Sequence, residues 1–311
     1  MIIPHYGNSP DRIVHIAGQK FRYAEFCQQC SRLQQEYDVL KFASIGQSVL
    51  GKPIWCVRIG KGSRHIHMNA AVHANEWITS VLLLHFLEDY AAALQGRPKD
   101  AGMSVRQAEA WYRDYTLWAV PMVNPDGVDL AQNGAVHCGA YQSRLLAWNE
   151  QSPDFSRWKA NIRGVDLNDQ FPAFWEEERE RRGVAEPARQ DYSGPEPLSE
   201  PEAAALAALT REVPFERVLS LHSQGKEIYW NYRDYEPEEA EQMAEQLAAA
   251  GHYRAVKLGG SDAGYKDWFI QEFRRPGFTI EVGEGINPLP ASDFDDIYKD
   301  VSAILAGAMS F

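Results

Sequence analysis

The stretch Tyr115-Thr116-Leu117-Trp118-Ala119-Val120-Pro121-Met122 is apolar at consecutive positions rather than alternate ones. A strand with one wet face alternates, whereas a strand covered on both faces reads as a continuous apolar run. Three more runs share the pattern: residues 65–72, Val218-Leu219-Ser220-Leu221 and Phe278-Thr279-Ile280-Glu281-Val282. Strands of this kind need a layer on either side. The sequence supplies helical patterns between them, over 23–37 (Phe26, Cys30 and Leu33 on one side), 76–93, 238–250, 263–273 and 291–309. Further helices run through Ala108 and Trp111 and from a capping box, Ser199-x-x-Glu202, to about residue 211. Residues 42–47 and 54–59 read as strands around the turn Leu50-Gly51-Lys52-Pro53. The order implies an α/β fold with a mostly parallel or mixed sheet covered on both faces. No internal repeat or linker divides the chain. A Pro/Gly-broken lead-in over residues 1–20 is followed by one domain, 21–311.

Composition then removes whole classes of function. The formal net charge of −12 argues against nucleic acid and anionic membrane as partners, since both attract Lys and Arg. No apolar run approaches the ~20 residues of a membrane-crossing helix, and no basic-then-apolar leader opens the sequence. The four cysteines include Cys27-Gln-Gln-Cys30, inside a helical pattern and without a second CxxC, which reads as two ordinary helix thiols. Few cysteines and no leader point to a reducing cytoplasm. The charged stretch 176–190 reads as a solvated insertion, and Asn124-Pro125-Asp126-Gly127 as a turn.

The chemistry sits where the apolar runs stop. His73 follows the run 65–72, and Glu76 comes three residues later at the start of a helix. That spacing puts an imidazole and a carboxylate at one point, ready for a metal. By itself it equally suits a polar strand end and a solvated helix start. With nine histidines in the chain, about one His-x-x-Glu is expected by chance. Catalytic zinc uses three nitrogen or oxygen ligands and an open position, so a second His is required. His222 closes another apolar run and meets the requirement. Glu281 lies inside a third. An unpartnered buried carboxylate is costly, so it must be paired or functional, and beside a metal it can take a proton from water. Ligands of open α/β sheets gather at the carboxyl ends of strands, the kind of place where His73, His222 and Glu281 fall.

Taken together, Gly51-Lys52-Pro53-Ile54, His73-Ala74-Asn75-Glu76-Trp77, Asn124-Pro125-Asp126-Gly127, Gly164-Val165-Asp166-Leu167-Asn168, Leu221-His222-Ser223 and Phe278-Thr279-Ile280-Glu281 resemble the zinc carboxypeptidases, the carboxypeptidase A superfamily. The motifs occur in family order over about residues 40–285. The resemblance implies a single α/β domain with a central mixed, twisted eight-stranded sheet flanked by helices on both faces. It implies one Zn2+ per chain on His73, Glu76 and His222, with Glu281 as general base. It also implies a cation shortly before Val165-Asp166-Leu167-Asn168 that polarises the scissile carbonyl. Lys159 and Arg163 both remain candidates. Tyr265 is the nearest match for a phenol that closes over substrate in many relatives.

One departure bears on specificity. Most members follow the motif's Asn with Arg, and that pair holds the substrate's terminal carboxylate. Here the residues are Asn168-Asp169. At about 4 Å and an effective dielectric near 20 a charge pair is worth about 4 kcal/mol, so the reversal favours an ammonium over a carboxylate. The alternative is that Asp169 pairs with a nearby Arg. The runs 158–172 and 222–230 resemble the bacterial branch that cleaves γ-D-glutamyl-meso-diaminopimelate bonds in peptidoglycan peptides. That resemblance implies a small peptide substrate, with Asp169 receiving an amine and Lys266 a distal carboxylate. Lys266 also suits a surface lysine. The rival expectations are a metallocarboxypeptidase acting on ordinary C-terminal residues and a metal-free peptide-binding relative.

Overall fold

Among the described residues eight strands form one sheet in the order β1-β2-β4-β3-β5-β8-β6-β7. They are β1 (Lys41–Gln47), β2 (Pro53–Gly60), β3 (Arg64–Ala70), β4 (Tyr115–Val120), β5 (Phe215–His222), β6 (Glu227–Tyr229), β7 (Arg254–Val256) and β8 (Gly277–Glu281). The computed structural model describes residues 12–16, 18, 20–99 and 103–311. The centre, β4-β3-β5-β8, is parallel, while β1, β2 and the β6 pairing with β8 are antiparallel. The sheet is therefore mixed, and the strands with continuous apolar runs occupy its middle, as burial on both faces requires. β6 and β7, three residues each, carry no run long enough to read in the sequence.

Among the described residues ten α-helices pack around it: α1 (Tyr23–Glu36), α2 (Ile78–Leu94), α3 (Val105–Asp114), α4 (Pro125–Asn133), α5 (Gln142–Trp148), α6 (Trp175–Arg182), α7 (Pro201–Glu212), α8 (Glu239–Gly251), α9 (Tyr265–Phe273) and α10 (Phe294–Ala308). The larger core joins α1, α2, α3, α8 and α10 to one sheet face through Ile66, Met68, Leu219, Leu221, Phe278 and Ile280. On the other face α7 and α9 bury Leu206, Trp268 and Phe269 against Val218 and Phe215. Because strand side chains alternate, His222 and Glu281 share this second face at the ends of β5 and β8.

Several local expectations change. Residues 74–94 are long and apolar enough to cross a bilayer, against the reading that no run is, and α2 is buried almost throughout as a core helix. Asn124 is the N-cap of α4 rather than part of a free turn, accepting from the Gly127 amide at 3.0 Å with Pro125 at the first helical position. A Cβ at Gly127 would sit 2.5 Å from the Asn124 amide and 2.7 Å from the Ala160 carbonyl, so only glycine closes this cap. Glu200, with Pro201 behind it, starts α7, so Ser199 forms no capping box there.

The lead-in lies mostly outside the described residues, but residues 12–14 are anchored. Arg12 pairs with buried Asp89 at 2.6 Å, and Glu88 accepts the amides of Ile13 and Val14. Cys27 and Cys30 lie on α1, and all four cysteines are free.

Candidate active site

β3 ends at Ala70, and the chain turns sharply through Ala71, whose φ of +50° is left-handed. The Thr79 hydroxyl accepts the Ala71 amide at 2.9 Å and donates to the Glu76 carbonyl at 2.7 Å. His73 and Glu76 are thereby held at the head of α2. The Ala74 amide bonds the Lys159 carbonyl at 2.8 Å, bringing a second segment to the same place. Asn124 donates to the carbonyls of Val72 and Ala160, fastening both segments to α4.

His73, Glu76 and His222 then converge. His73 Nδ1 lies 2.9 Å from Glu76 Oε1 and 3.2 Å from His222 Nδ1, which lies 3.2 Å from Glu76 Oε2. Their donor atoms all fall within 4.8 Å of one another. The outer nitrogens fix how the rings present themselves. The Trp118 carbonyl can only accept, so His67 Nδ1 donates to it at 2.9 Å, and His67 Nε2 accepts from Asn69 Nδ2 at 3.3 Å. Burial lowers the His67 pKa to about 3, which keeps this ring neutral. Asn69 Oδ1 must then accept the Ser220 hydroxyl at 2.6 Å, and Ser220 Oγ accepts His222 Nε2–H at 3.2 Å. That leaves His222 Nδ1 with a bare lone pair facing the centre. Asp166 does the same for His73, taking Nε2–H at 3.2 Å.

Two ring nitrogens and a carboxylate aimed at one point call for a cation between them. A proton fills that need when nothing else does. Burial lowers the His73 pKa, but Glu76 and Asp166 outweigh it and raise the group to about 10. Burial and His73 leave the neighbouring His222 imidazole below its usual value, despite Glu76. Zinc, which takes nitrogen and oxygen ligands, suits this donor set and would displace the proton. Outside the triad, the Ser223 amide holds Glu76 Oε2 at 3.1 Å and Asn287 Nδ2 approaches Oε1 at 3.4 Å. Asn287 carries no motif signal. The loop after β8 reveals it only in three dimensions.

Glu281 pairs across the sheet with His222 on one side and Glu227 on the other. Burial and the Glu76 carboxylate push it up to about 8, while His73 and Lys159 pull it down. Lys159 Nζ stands 3.8 Å from Glu76 Oε1. Burial lowers the Lys159 pKa, but Glu76, Asp166, Glu281 and Asp191 together raise it. Arg163 is elsewhere. The tight turn through Gly164 (φ +72°) aims it outward, 3.6 Å from Glu200. Of the two cations left open by the sequence, Lys159 is the one beside the metal-type group.

Three other expectations are corrected. Tyr265 is fully buried, with its hydroxyl 2.9 Å from Thr210, because the first turn of α9 faces the core. It closes over nothing. Lys266 is also buried, committed to the Asn231 carbonyl at 2.6 Å and Asp267 at 2.5 Å, so its ammonium is not open to a substrate carboxylate. Asp169 takes the alternative course and pairs with an arginine. Arg182 places Nε 2.9 Å from Asp169 Oδ2 and Nη2 3.0 Å from Oδ1. Burial and nearby Asp166 still hold Asp169 up at about 8. Asn168 begins the same short turn, its amide on Asp166 Oδ1 at 3.1 Å.

Arg182 comes from the stretch expected to be a solvated insertion. Its first part is α6, whose Glu178 is buried and meets Arg182 at 2.8 Å. The following loop passes into the site. The Arg189 carbonyl accepts the amides of Lys159 and Ala160, and the Asp191 amide donates to Asp166 Oδ2 at 3.1 Å.

The Zinc carboxypeptidase family model matches residues 26–303. Gamma-D-glutamyl-L-diamino acid endopeptidase 1 of Lysinibacillus sphaericus is 48% identical over 290 residues, spanning 93% of this chain and 72% of that protein. Among solved structures, thrombin activatable fibrinolysis inhibitor superposes with a TM-score of 0.74 at 19% identity, covering 94% of this chain and 74% of its own. Carboxypeptidase A from Helicoverpa armigera gives 0.70 at 18% identity, covering 96% and 76%. These two likenesses concern the fold.

Proposed function

Because the chain belongs to the zinc carboxypeptidase family, we propose that it hydrolyses the γ-D-glutamyl amide bond to a diamino acid, meso-diaminopimelate, in peptidoglycan-derived peptides. The observation that carries the reaction type is the convergence of His73, Glu76 and His222 beside Glu281. The substrate class rests on the 48% identity to the L. sphaericus endopeptidase.

His73, Glu76 and His222 would hold the zinc. When bound, it supplies Lewis acidity and lowers the pKa of water to about 7. Glu281 accepts a proton from the attacking water and gives it to the leaving nitrogen. A carboxylate raised toward neutrality by burial and Glu76 suits a group that must both take and return a proton. Lys159 stabilises the oxyanion as the carbonyl becomes tetrahedral. Asp166 and Ser220 hold the two rings in the tautomers that leave Nδ1 available. The four free cysteines support a reducing, cytoplasmic location for this peptide turnover.

The test is mass spectrometry of products from a γ-D-glutamyl-diaminopimelate peptide and from an α-linked peptide ending in an ordinary residue, with and without a zinc chelator. The expected result is chelator-sensitive cleavage of the first alone. Cleavage of only the α-linked peptide would replace this reading with an ordinary carboxypeptidase.

A further inference from the structure

Asp169 and Lys266, the residues from which the sequence would build substrate specificity, are both spent on internal partners. Beside the site, Arg182, about one-third exposed, and Asp191, 30% exposed, face outward together, with Arg182 Nη1 3.2 Å from Asp191 Oδ1. We propose that Arg182 and Asp191 form a zwitterion-reading pair, Arg182 binding the distal carboxylate and Asp191 the distal ammonium of the diaminopimelate leaving group. This rests on the functional reading above.

The pair has unused capacity. Arginine carries five N–H donors. Nε is shared between Asp169 and Glu178, Nη2 gives one bond to Asp169, and Nη1 turns to Asp191. One donor remains on each terminal nitrogen. The Asp191 carboxylate accepts from Gln190 Nε2 at 2.8 Å and meets Arg182, and it keeps lone pairs for an ammonium.

The pair is also held at a fixed place. Asp169 and Glu178, both buried, grip Arg182 from behind. Asp191 sits at φ +66°, a left-handed conformation uncommon for a side-chain-bearing residue, with its amide tied to Asp166. Asp166 in turn holds His73. One carboxylate therefore connects the metal-type group to the loop that carries Asp191.

The chemistry selects the ligand. An ordinary C-terminal residue offers only a carboxylate once its amine lies in the scissile bond, and lysine offers only a distal amine. Diaminopimelate offers both on one carbon, the arrangement an adjacent Arg and Asp complement as a unit.

The experiment measures kcat and KM for γ-D-glutamyl amides of meso-diaminopimelate, of lysine (no distal carboxylate) and of 2-aminopimelate (no distal amine). The zinc-loaded wild type and its Asp191→Asn and Arg182→Lys variants are compared, with zinc content and melting temperature recorded. Asp191→Asn should raise KM roughly 10- to 100-fold for the diaminopimelate substrate, with kcat held and the 2-aminopimelate substrate unaffected. Arg182→Lys keeps the charge that Asp169 needs and loses the forked geometry. It should weaken the two carboxylate-bearing substrates and spare the lysine one. Equal losses on all three substrates, or losses that follow zinc content, would mean the pair only supports Asp166 and would overturn the proposal. Failure of the wild type to cleave any γ-D-glutamyl amide would sink the functional reading and this proposal with it.

Discussion

His73, Glu76, His222 and Glu281 stand at the ends of β3, β5 and β8, in the parallel centre of the sheet. Arg182 and Asp191 stand on a helix and a loop whose charges are mostly satisfied by one another. The first group is placed by backbone ladders and two apolar cores, the second by ion pairs among Asp169, Glu178, Arg182 and Asp191. A sheet fixes its ends rigidly, which suits chemistry that fails when an atom is displaced by an ångström. A loop held by charges can differ between relatives without disturbing the sheet, which suits a specificity surface. If that division is right, damage to the first region removes turnover or metal, and damage to the second changes only which substrate is taken.

The sharpest test of the division is Glu281→Gln. Removing the proton acceptor should lower kcat by roughly 10²- to 10⁴-fold while zinc content, measured by atomic absorption, stays at one per chain. A loss of zinc instead would make Glu281 a partner of the metal rather than a base. Lys159→Ala should come next, with a kcat loss of about 10²- to 10³-fold as for a missing oxyanion donor, whereas Arg163→Ala, directed at Glu200, should change kcat by less than about threefold. Equal effects from the two would return the choice to where the sequence left it.

A subtler cut is Ser220→Ala. The chain of donors from the Trp118 carbonyl through His67, Asn69 and Ser220 decides which nitrogen of His222 is bare. Breaking it should weaken zinc binding by about 10- to 100-fold in a chelator competition, with near-normal kcat at saturating zinc. Unchanged affinity would reduce the ladder to packing.

The contrast between the regions is also one of legibility. His222 and Glu281 could be read because a strand buried on both faces has to be apolar, and a polar residue at its end or inside it stands out. Glu76 could be read from its distance to His73. Nothing local announces that Asp169 meets Arg182 across a helix, since both sit in stretches where charge is common and the bond depends on how α6 folds back. Lys266 and Tyr265 misled for a related reason. Their helix is short, and which side of it faces the core is set by contacts with Asn231 and Thr210, remote in sequence. Asp191 was invisible because its left-handed backbone and its hold on Asp166 are properties of the folded loop alone.

Glu202, a partner of Asn161, gives the smallest effect. Buried at the start of α7, it accepts the Val49 amide at 3.1 Å and Asn161 Nδ2 at 3.3 Å, beneath the segment that bears Lys159 and Asp166. Burial pushes it up to about 7 from an ordinary 4.5, outweighing the amide bonds that lower it. A raised carboxyl pKa means the folded state prefers the protonated form. Its contribution to stability is complete below about pH 4.5, falls as pH rises, and is fully lost above about pH 7. The full shift is worth up to about 3 kcal/mol, at ~1.4 kcal/mol per unit. Glu202→Gln cannot ionise and still offers an oxygen to Val49, so it should lose less stability than the wild type between pH 5 and pH 7, by roughly 1–3 kcal/mol in urea titrations. The kcat of the zinc-loaded variant should stay within about twofold of the wild type if the sheet alone places the catalytic groups. A parallel pH dependence in the two proteins would mean that Glu202 stays ionised in its pocket, and a large fall in kcat would mean that the strand-end chemistry leans on the loop side after all.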